Sequence, residues 1–175
     1  SDTRPTSDRV REAVFNILRD RVESALVLDL FAGSGAMSLE AISRGAKRAV
    51  MVDSSRKAIQ VISRNVALMR AAPRVRLMAE DWRTALTKLR GESFSLVFID
   101  PPYRMTEAYG QAVKCLAEGG MLAEDALVVA EYARGAQIDL PDFCEWTDQR
   151  RYGDTMIGFA RQKETNENLH LPGQL

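Results

Sequence analysis

The feature that most constrains the fold is a repeated unit, in which a short apolar segment ends in a polar turn and an amphipathic helical segment follows. Residues 25–30 and 37–42 form the first unit, and its helix ends at Gly45. Apolar segments of the same kind recur at residues 49–52, 75–79 and 94–100. This alternation predicts an α/β fold with a mostly parallel sheet, helices on both of its faces, and ligand sites at the carboxyl ends of the strands.

The two ends of the chain depart from this repeat. Apolar residues between Val10 and Leu18 recur at the spacing of one helical face, and the residues available to cap that helix are Thr6, Ser7 and Asp8. A fifth strand at residues 126–132 precedes two strands joined by a short turn, which predicts a hairpin formed by residues 143–151 and 155–161. We therefore expect an antiparallel edge on the sheet.

The length of 175 residues suits one ordinary domain. We expect a single domain over residues 1–163, with an N-terminal helical segment at residues 1–24 packed on it. The polar tail at residues 164–175 carries His170, the only histidine, which we interpret as a surface residue. Formal positive and negative charges are 24 each, so the total charge predicts no general attraction to nucleic acid or membrane.

Arginines are nevertheless unevenly distributed. One group lies near the start of the chain and another precedes the hairpin turn, and the candidate nucleic-acid contacts are Arg4, Arg9, Arg11, Arg150 and Arg151. Solvated helix faces are the alternative interpretation of such arginines.

The two cysteines, Cys115 and Cys144, are too few for a disulfide scaffold and lack the close spacing of a zinc site. We interpret both as reduced core residues, and we expect no metal. No apolar run reaches the roughly 20 residues that span a bilayer, and the N-terminus lacks the apolar core of a signal peptide. The expectation is a cytoplasmic protein with no membrane partner.

A glycine-containing loop, Asp29-Leu30-Phe31-Ala32-Gly33-Ser34-Gly35, follows the first strand. Gly33 and Gly35 permit a tight turn and a close approach of the backbone to a ligand, although an ordinary strand-to-helix turn remains an alternative. A dinucleotide fingerprint would require a third glycine where this chain has Ser38, which disfavours NAD. Because Asp29 would repel a pyrophosphate, a cationic ligand is favoured. S-adenosylmethionine carries both a sulfonium and an ammonium group.

Acidic residues also end the second and third apolar segments. Asp53 lies where a carboxylate can accept both ribose hydroxyls of a nucleotide. Asp81 precedes Trp82, so that its carboxylate and the neighbouring amide or indole can meet an adenine ring. Each of these aspartates could instead cap a helix, but three successive strands that end in this way favour a ligand site.

The fourth apolar segment delivers a second loop, Asp100-Pro101-Pro102-Tyr103, to the same edge of the sheet. The prolines fix their own φ angles and keep Asp100 extended, which predicts a rigid loop. An amino group on a nucleobase is a poor nucleophile, and Asp100 with the Pro101 carbonyl can accept its hydrogens and direct its lone pair. Tyr103 offers a flat face for a base that is swung out of its stack. A purely structural turn is the alternative.

These two loops together resemble the amino-methyltransferases that act on adenine, cytosine or guanine. Arg4-Pro5-Thr6, residues 8–12 and 43–46, and Tyr152-Gly153-Asp154-Thr155 resemble the bacterial 16S rRNA guanine-N2 methyltransferase family, small-subunit methyltransferase D. The resemblance runs from Arg4 to about Arg161. It implies a Rossmann-like class I methyltransferase fold, S-adenosylmethionine as the methyl donor and the 16S rRNA (guanine(966)-N(2)) activity.

By that resemblance, the cofactor loop contacts the methionine part of S-adenosylmethionine through Asp29, Gly33 and Gly35. It also implies that Asp53 contacts the ribose, Asp81 the adenine, and residues 100–103 the target base. The partner that follows is ribosomal RNA or a small-subunit assembly particle, and no obligate protein partner is evident.

Three rival interpretations remain. A DNA or other RNA enzyme acting on adenine N6 or cytosine N4 would use the same loops, but reading a DNA sequence normally requires an added module. Only the segment before Ala25 and the terminal hairpin are available for one, which favours recognition of RNA shape. A non-catalytic RNA-binding module is disfavoured by the intact carboxylates and prolines. An oxidoreductase is disfavoured by Ser38 and by the absence of a hydride-site histidine.

Overall fold

The computed structural model describes residues 5–102 and 104–164, with the side chains of residues 5–7 excepted. Arg4, Tyr103, His170 and the tail beyond Glu164 lie outside the described residues. The helices are α1 (Pro5–Leu18), α2 (Ala36–Ser43), α3 (Arg56–Leu68), α4 (Trp82–Lys88) and α5 (Ala108–Glu118). The strands are β1 (Leu26–Asp29), β2 (Arg48–Val52), β3 (Val75–Met78), β4 (Phe94–Ile99), β5 (Leu122–Ala133), β6 (Cys144–Tyr152) and β7 (Thr155–Gln162). Short 3₁₀ turns span Arg19–Arg21 and Ala72–Arg74.

These strands form one seven-stranded sheet in the order β3-β2-β1-β4-β5-β7-β6. The first five strands in that order pair in parallel, and β7 is antiparallel to both β5 and β6. The predicted α/β fold with an antiparallel hairpin is therefore confirmed. The chain order reverses between β1 and β4, which is where ligands bind in open α/β sheets because the flanking loops diverge there.

Helices bury apolar side chains on both faces of the sheet. Helices α1, α2 and α3 pack on one face, where the core includes Phe15, Ile42 and Ile62. Helices α4 and α5 pack on the other face, where Trp82 and Leu116 join the core. The strand segments at the centre are buried on both faces, which explains their nearly continuous apolar sequence. Among the described residues, no helix has the length and hydrophobicity needed to cross a membrane.

Three local expectations change. Helix α1 begins at Pro5, upstream of the expected cap residues, because proline suits the first turn of a helix. Strand β5 begins at Leu122 rather than at residue 126. The prediction followed the apolar stretch, whereas the first residues of the strand are partly polar and exposed. Cys144 is buried, but Cys115 is exposed on α5, so the expectation that both lie in the core was wrong for Cys115. Ser55 caps α3 by accepting a hydrogen bond from the Ala58 amide.

Candidate active site

A cleft lies at the carboxyl ends of the central strands and comprises two adjoining cavities. The first, of about 440 Å³, extends over β2 and β3 and is lined by Asp53, Asp81 and Pro101, among others. The second, of about 700 Å³, extends toward α1 and β5. Both cavities are lined by Phe31, Gly33 and Asp100. The structure therefore brings the two predicted loops to one cleft.

The two glycines of the first loop have different surroundings. Gly33 has a φ of +57° and space around its Cα, so a ligand in the cavity could approach its backbone closely. Gly35 has a φ of +81°, and a Cβ there would lie 2.8 Å from Met51 Cε and 3.1 Å from Ile62 Cγ1. Gly35 is buried at the start of α2. Packing against these two side chains thus constrains Gly35, whereas the open cavity lies beside Gly33.

Asp29 is buried beneath the loop, with 4% of its surface exposed. Its carboxylate accepts a hydrogen bond from the Ser38 hydroxyl at 2.9 Å. Burial raises the pKa of Asp29 to about 7, while hydrogen bonds from Ser38 and the Phe31 amide lower it and the negative charge of Asp53 raises it. Ser38, which replaces the third glycine of a dinucleotide fingerprint, is thus the donor that supports this carboxylate.

Asp53 ties the first loop to the end of β2. Its carboxylate accepts hydrogen bonds from the Gly33 amide at 2.8 Å and the Ser55 amide at 2.9 Å. Each carboxylate oxygen has a second lone-pair site, so Asp53 can still accept hydrogen bonds from a ligand in the first cavity. Asp81 caps α4 by accepting a hydrogen bond from the Arg83 amide at 2.9 Å, and it also lines that cavity. Capping and ligand binding are therefore compatible at Asp81.

Trp82 forms part of the wall of the first cavity. Its indole is 3% exposed, and its ring centroid lies 6.4 Å from that of Phe31. The Arg83 guanidinium lies 4.6 Å from the indole centroid on the protein's outer side. Trp82 Nε1 and Glu80 Oε2 are buried without a hydrogen-bond partner among the described residues. Both residues line the cavity, so an unpaired donor and an unpaired acceptor lie in its wall.

The second loop follows β4 directly. Asp100 is exposed to the cleft, Pro101 is buried, and the Pro102 carbonyl accepts a hydrogen bond from the Met105 amide at 2.9 Å. The Pro101 carbonyl accepts no hydrogen bond from any described residue. Tyr103, which we expect to stack on the base, lies outside the described residues.

Glu131 is a cleft residue that the sequence analysis missed. Ile99 pairs with Ala130, so Asp100 and Glu131 follow at adjacent places on β4 and β5. The pKa of Asp100 is raised mainly because surrounding protein atoms displace water from its carboxyl group. The negative charge and hydrogen bond of Glu131 and the charge of Asp29 raise it further, although solvent in the cleft screens these effects. A glutamate that interrupts the apolar run 126–132 was the available sequence signal.

Comparison with known proteins identifies the family. Residues 1–161 match the model of the family described as conserved hypothetical protein 95. Over 168 residues the chain is 35% identical to the "Putative rRNA methyltransferase YlbH" of Bacillus subtilis, covering 93% of this chain and 90% of that protein. Over 128 residues it is 38% identical to the ribosomal RNA small subunit methyltransferase D of Escherichia coli, covering 73% of this chain and 63% of that protein. The chain belongs to the small-subunit rRNA methyltransferase D family.

Solved structures agree with this family. The "Putative methyltransferase yhhF" of Escherichia coli matches with a TM-score of 0.83 and 29% identity, covering 94% of this chain and 90% of that one. A conserved hypothetical protein of Streptococcus pyogenes matches with a TM-score of 0.80 and 32% identity, covering 87% and 95%. The predicted Rossmann-like methyltransferase fold is thereby confirmed. In contrast, the chain spans less than two thirds of the Escherichia coli methyltransferase D sequence.

The predicted arginine contacts that the structure describes differ in their surroundings. Arg11 lines the cavity and pairs with Asp8 at 3.2 Å and Glu40 at 3.3 Å. Arg9 is exposed and forms no ion pair with a described residue. Arg150 lies opposite Ile157, which also pairs with Glu131, so the end of β6 reaches the same edge of the sheet.

Arg150 and Arg151 already make local contacts at the hairpin. Arg150 pairs with Asp148 at 2.9 Å, and the Arg151 guanidinium donates a hydrogen bond to the Gly153 carbonyl at 3.0 Å. Both side chains are more than one third exposed, so these contacts do not exclude binding to phosphate. Arg4 lies outside the described residues.

Proposed function

We propose that this protein transfers a methyl group from S-adenosylmethionine to the exocyclic N2 amino group of a guanine in small-subunit 16S rRNA. Membership of the methyltransferase D family supports the coarser activity, S-adenosylmethionine-dependent methylation of rRNA. The observation that carries the proposal is the position of Asp100, which lines both cavities of the cleft beside the glycine-containing loop.

The residues of the cleft fit the cofactor. When bound, S-adenosylmethionine supplies an electrophilic methyl group on its sulfonium. In our proposal, the loop of Asp29, Gly33 and Gly35 holds the methionine part, and Asp53 accepts hydrogen bonds from the ribose. The unpartnered polar atoms of Glu80 and Trp82 support this fit, because an adenine edge offers both donors and acceptors.

The remaining cofactor contacts belong to the walls of the first cavity. Asp81 accepts a hydrogen bond from the adenine amino group with the oxygen atom that does not cap α4. Phe31 and Trp82 provide the apolar surface beside the ring. Because Trp82 is already buried and Phe31 is half-buried before a ligand arrives, little side-chain freedom is lost on binding, which favours affinity.

Asp100 and the Pro101 carbonyl orient the target amine. Both are hydrogen-bond acceptors, and the Pro101 carbonyl is not used by any described residue. By accepting the two amino hydrogens, they withdraw the nitrogen lone pair from conjugation with the ring and direct it toward the methyl group. Pro102 fixes the loop through its bond to Met105, and Tyr103 provides the stacking face for the flipped base.

Arginines near the second cavity bind the RNA backbone in this proposal. Arg9 is the strongest described candidate, because it is exposed and makes no described ion pair. Arg11 contributes less, since Asp8 and Glu40 already neutralise it. Arg150 and Arg151 extend the contact along the hairpin, and Arg4 belongs to the same N-terminal group. The RNA partner is 16S rRNA, free or within an assembling small subunit.

Methyl transfer to RNA from cells that lack this protein tests the proposal. We expect labelled methyl from S-adenosylmethionine to appear as N2-methylguanine at one mapped position of 16S rRNA. Asp100→Ala should reduce transfer about a hundredfold or more and leave cofactor affinity nearly intact, because Asp100 acts on the amine. Asp125→Ala, at an exposed position in the amino-terminal part of β5, is the control.

Other products would contradict the proposal in distinct ways. Label in N6-methyladenine or N4-methylcytosine would refute the guanine assignment but keep the methyltransferase class. RNA binding without methyl transfer would indicate a non-catalytic module. A fully active Asp100→Ala variant would remove Asp100 from the chemistry, whatever the product.

A further inference from the structure

Asp100 and Glu131 form a carboxyl pair at the edge of the sheet. Asp100 directly follows β4, and Glu131 lies beside it on β5. Their side chains lie within hydrogen-bonding reach of each other, and both residues line the second cavity. Two ionised carboxylates at this separation would repel each other, and the charge of Glu131 contributes to the raised pKa of Asp100. Each carboxyl group has two oxygens, so one oxygen of each remains an acceptor when the two groups contact each other.

No positive charge neutralises this pair within the part of the chain that the structure describes. Neither Asp100 nor Glu131 forms an ion pair with a described lysine or arginine. The Tyr109 hydroxyl donates a hydrogen bond to the backbone carbonyl of Glu131, which holds the strand end in place and leaves the carboxyl group available. An acidic pair that lines the cleft without a described cation beside it favours a binding role for the two residues.

The strand order fixes where Asp100 and Glu131 lie relative to the cofactor loop. That loop follows β1, Asp100 follows β4 as the next strand, and Glu131 lies on β5 beyond it. Asp100 therefore stands between the loop and Glu131. When Asp100 holds the amino group that faces the methyl donor, the ring atom next to that amino group can lie within reach of Glu131.

We propose that Glu131 accepts a hydrogen bond from the ring N1–H of the target guanine while Asp100 holds the N2 amino group. This assignment rests on the proposed function. Guanine presents N1–H and the 2-amino group as neighbouring donors, which matches two neighbouring acceptors. Adenine and cytosine instead present a ring nitrogen lone pair beside their amino groups, and that lone pair would face a carboxyl oxygen. The pair therefore selects guanine among amino-bearing bases.

Guanine can use both groups as acceptors at once, because each carboxyl group has an oxygen free to accept a ring or amino hydrogen. A ring nitrogen can pair only with a protonated carboxyl group, whose proton is then no longer available to the neighbouring carboxylate, so this pairing is less favourable than that of guanine.

An RNA with 2-aminopurine at the mapped position tests the role of Glu131. This base keeps the 2-amino group but has a ring acceptor in place of N1–H. We expect the native protein to methylate the guanine RNA with a kcat/KM at least tenfold higher. Glu131→Gln, whose amide can donate to the ring acceptor, should shift this preference toward 2-aminopurine by roughly 5- to 150-fold, the range for one base-edge contact.

Glu124→Gln is the matched control, because Glu124 is an exposed glutamate in the amino-terminal part of the same strand. It should keep the native preference. An unchanged preference in Glu131→Gln, with guanine RNA still methylated, would overturn the role of Glu131 and leave the proposed function standing. A native protein that does not methylate guanine RNA would refute the proposed function itself. If Glu131→Gln does not fold, equal native kcat/KM values on the two RNAs would still overturn the inference.

Discussion

Replacing Asp29 by asparagine should change how the free energy of unfolding depends on pH. Asp29 is buried, and its pKa in the folded protein is raised to about 7 from an ordinary value of 3.8. The folded state therefore binds the proton more tightly than the unfolded state. A carboxyl group with a raised folded pKa destabilises the fold progressively as the pH rises from about 4 to about 7, and asparagine removes this effect.

The magnitude follows from the pKa difference. Each pH unit between the two pKa values corresponds to about 1.4 kcal/mol of unfolding free energy. Between pH 5 and pH 8, only the part from pH 5 to about 7 contributes, which gives a loss of roughly 2 to 3 kcal/mol in the native protein that Asp29→Asn should not show. The asparagine oxygen can still accept the hydrogen bond from Ser38, so the side-chain contact is preserved.

Urea denaturation of both proteins at pH 5 and pH 8, without ligand, measures this difference. Asp100 also titrates, but it is present in both proteins and largely cancels in the comparison. Ser38→Ala provides a second check, because removing the donor should raise the pKa of Asp29 further and extend the loss of unfolding free energy to higher pH. Parallel pH profiles of the native protein and Asp29→Asn would show that Asp29 is already ionised in the fold, and would refute this reasoning.

Three further outcomes follow from the cleft. Asp53→Ala should weaken S-adenosylmethionine binding in calorimetry by about 1.5 to 3 kcal/mol, and native-like affinity would remove Asp53 from the site. Arg9→Ala should make the salt dependence of RNA binding shallower: the negative slope of the logarithm of the association constant against log salt should shrink in magnitude by roughly 0.7 to 0.9. Arg90→Ala, at an exposed position, should leave the slope unchanged, and equal slopes for Arg9→Ala and the native protein would exclude a phosphate contact at Arg9. Gly35→Ala should lower stability by about 1 to 3 kcal/mol, because a φ of +81° strains alanine and the added Cβ would lie 2.8 Å from Met51 Cε. An unchanged melting temperature would contradict this constraint.

The fold and the convergence of the predicted acidic residues at one sheet edge could be predicted because both depend on local patterns. Alternating apolar and helical segments indicate a parallel sheet, and a parallel sheet places successive strand ends at one edge. Asp29, Asp53 and Asp81 end or follow the first three strands, so their proximity required no knowledge of side-chain packing. The same reasoning brought Asp100 to this edge.

The remaining features depend on register and packing, which a single sequence does not reveal. Glu131 lies beside Asp100 only because Ile99 pairs with Ala130, and a shift of one residue would turn its side chain to the opposite face. Gly35 is constrained by Met51 on a neighbouring strand rather than by space for a ligand. The exposure of Cys115 depends on which face of α5 meets the sheet.

Hydrogen bonding divides the acidic residues of the cleft into two groups. Asp29, Asp53 and Asp81 each accept a backbone amide hydrogen from a loop at this sheet edge, so these loops are held in shape before a ligand binds. No described backbone amide donates a hydrogen bond to the carboxyl group of Asp100 or Glu131. These two carboxyl groups contact each other instead. In our proposal, their acceptor capacity is left for the base. One sheet edge would then combine a preformed cofactor site with an acceptor site that is completed only when the target base arrives.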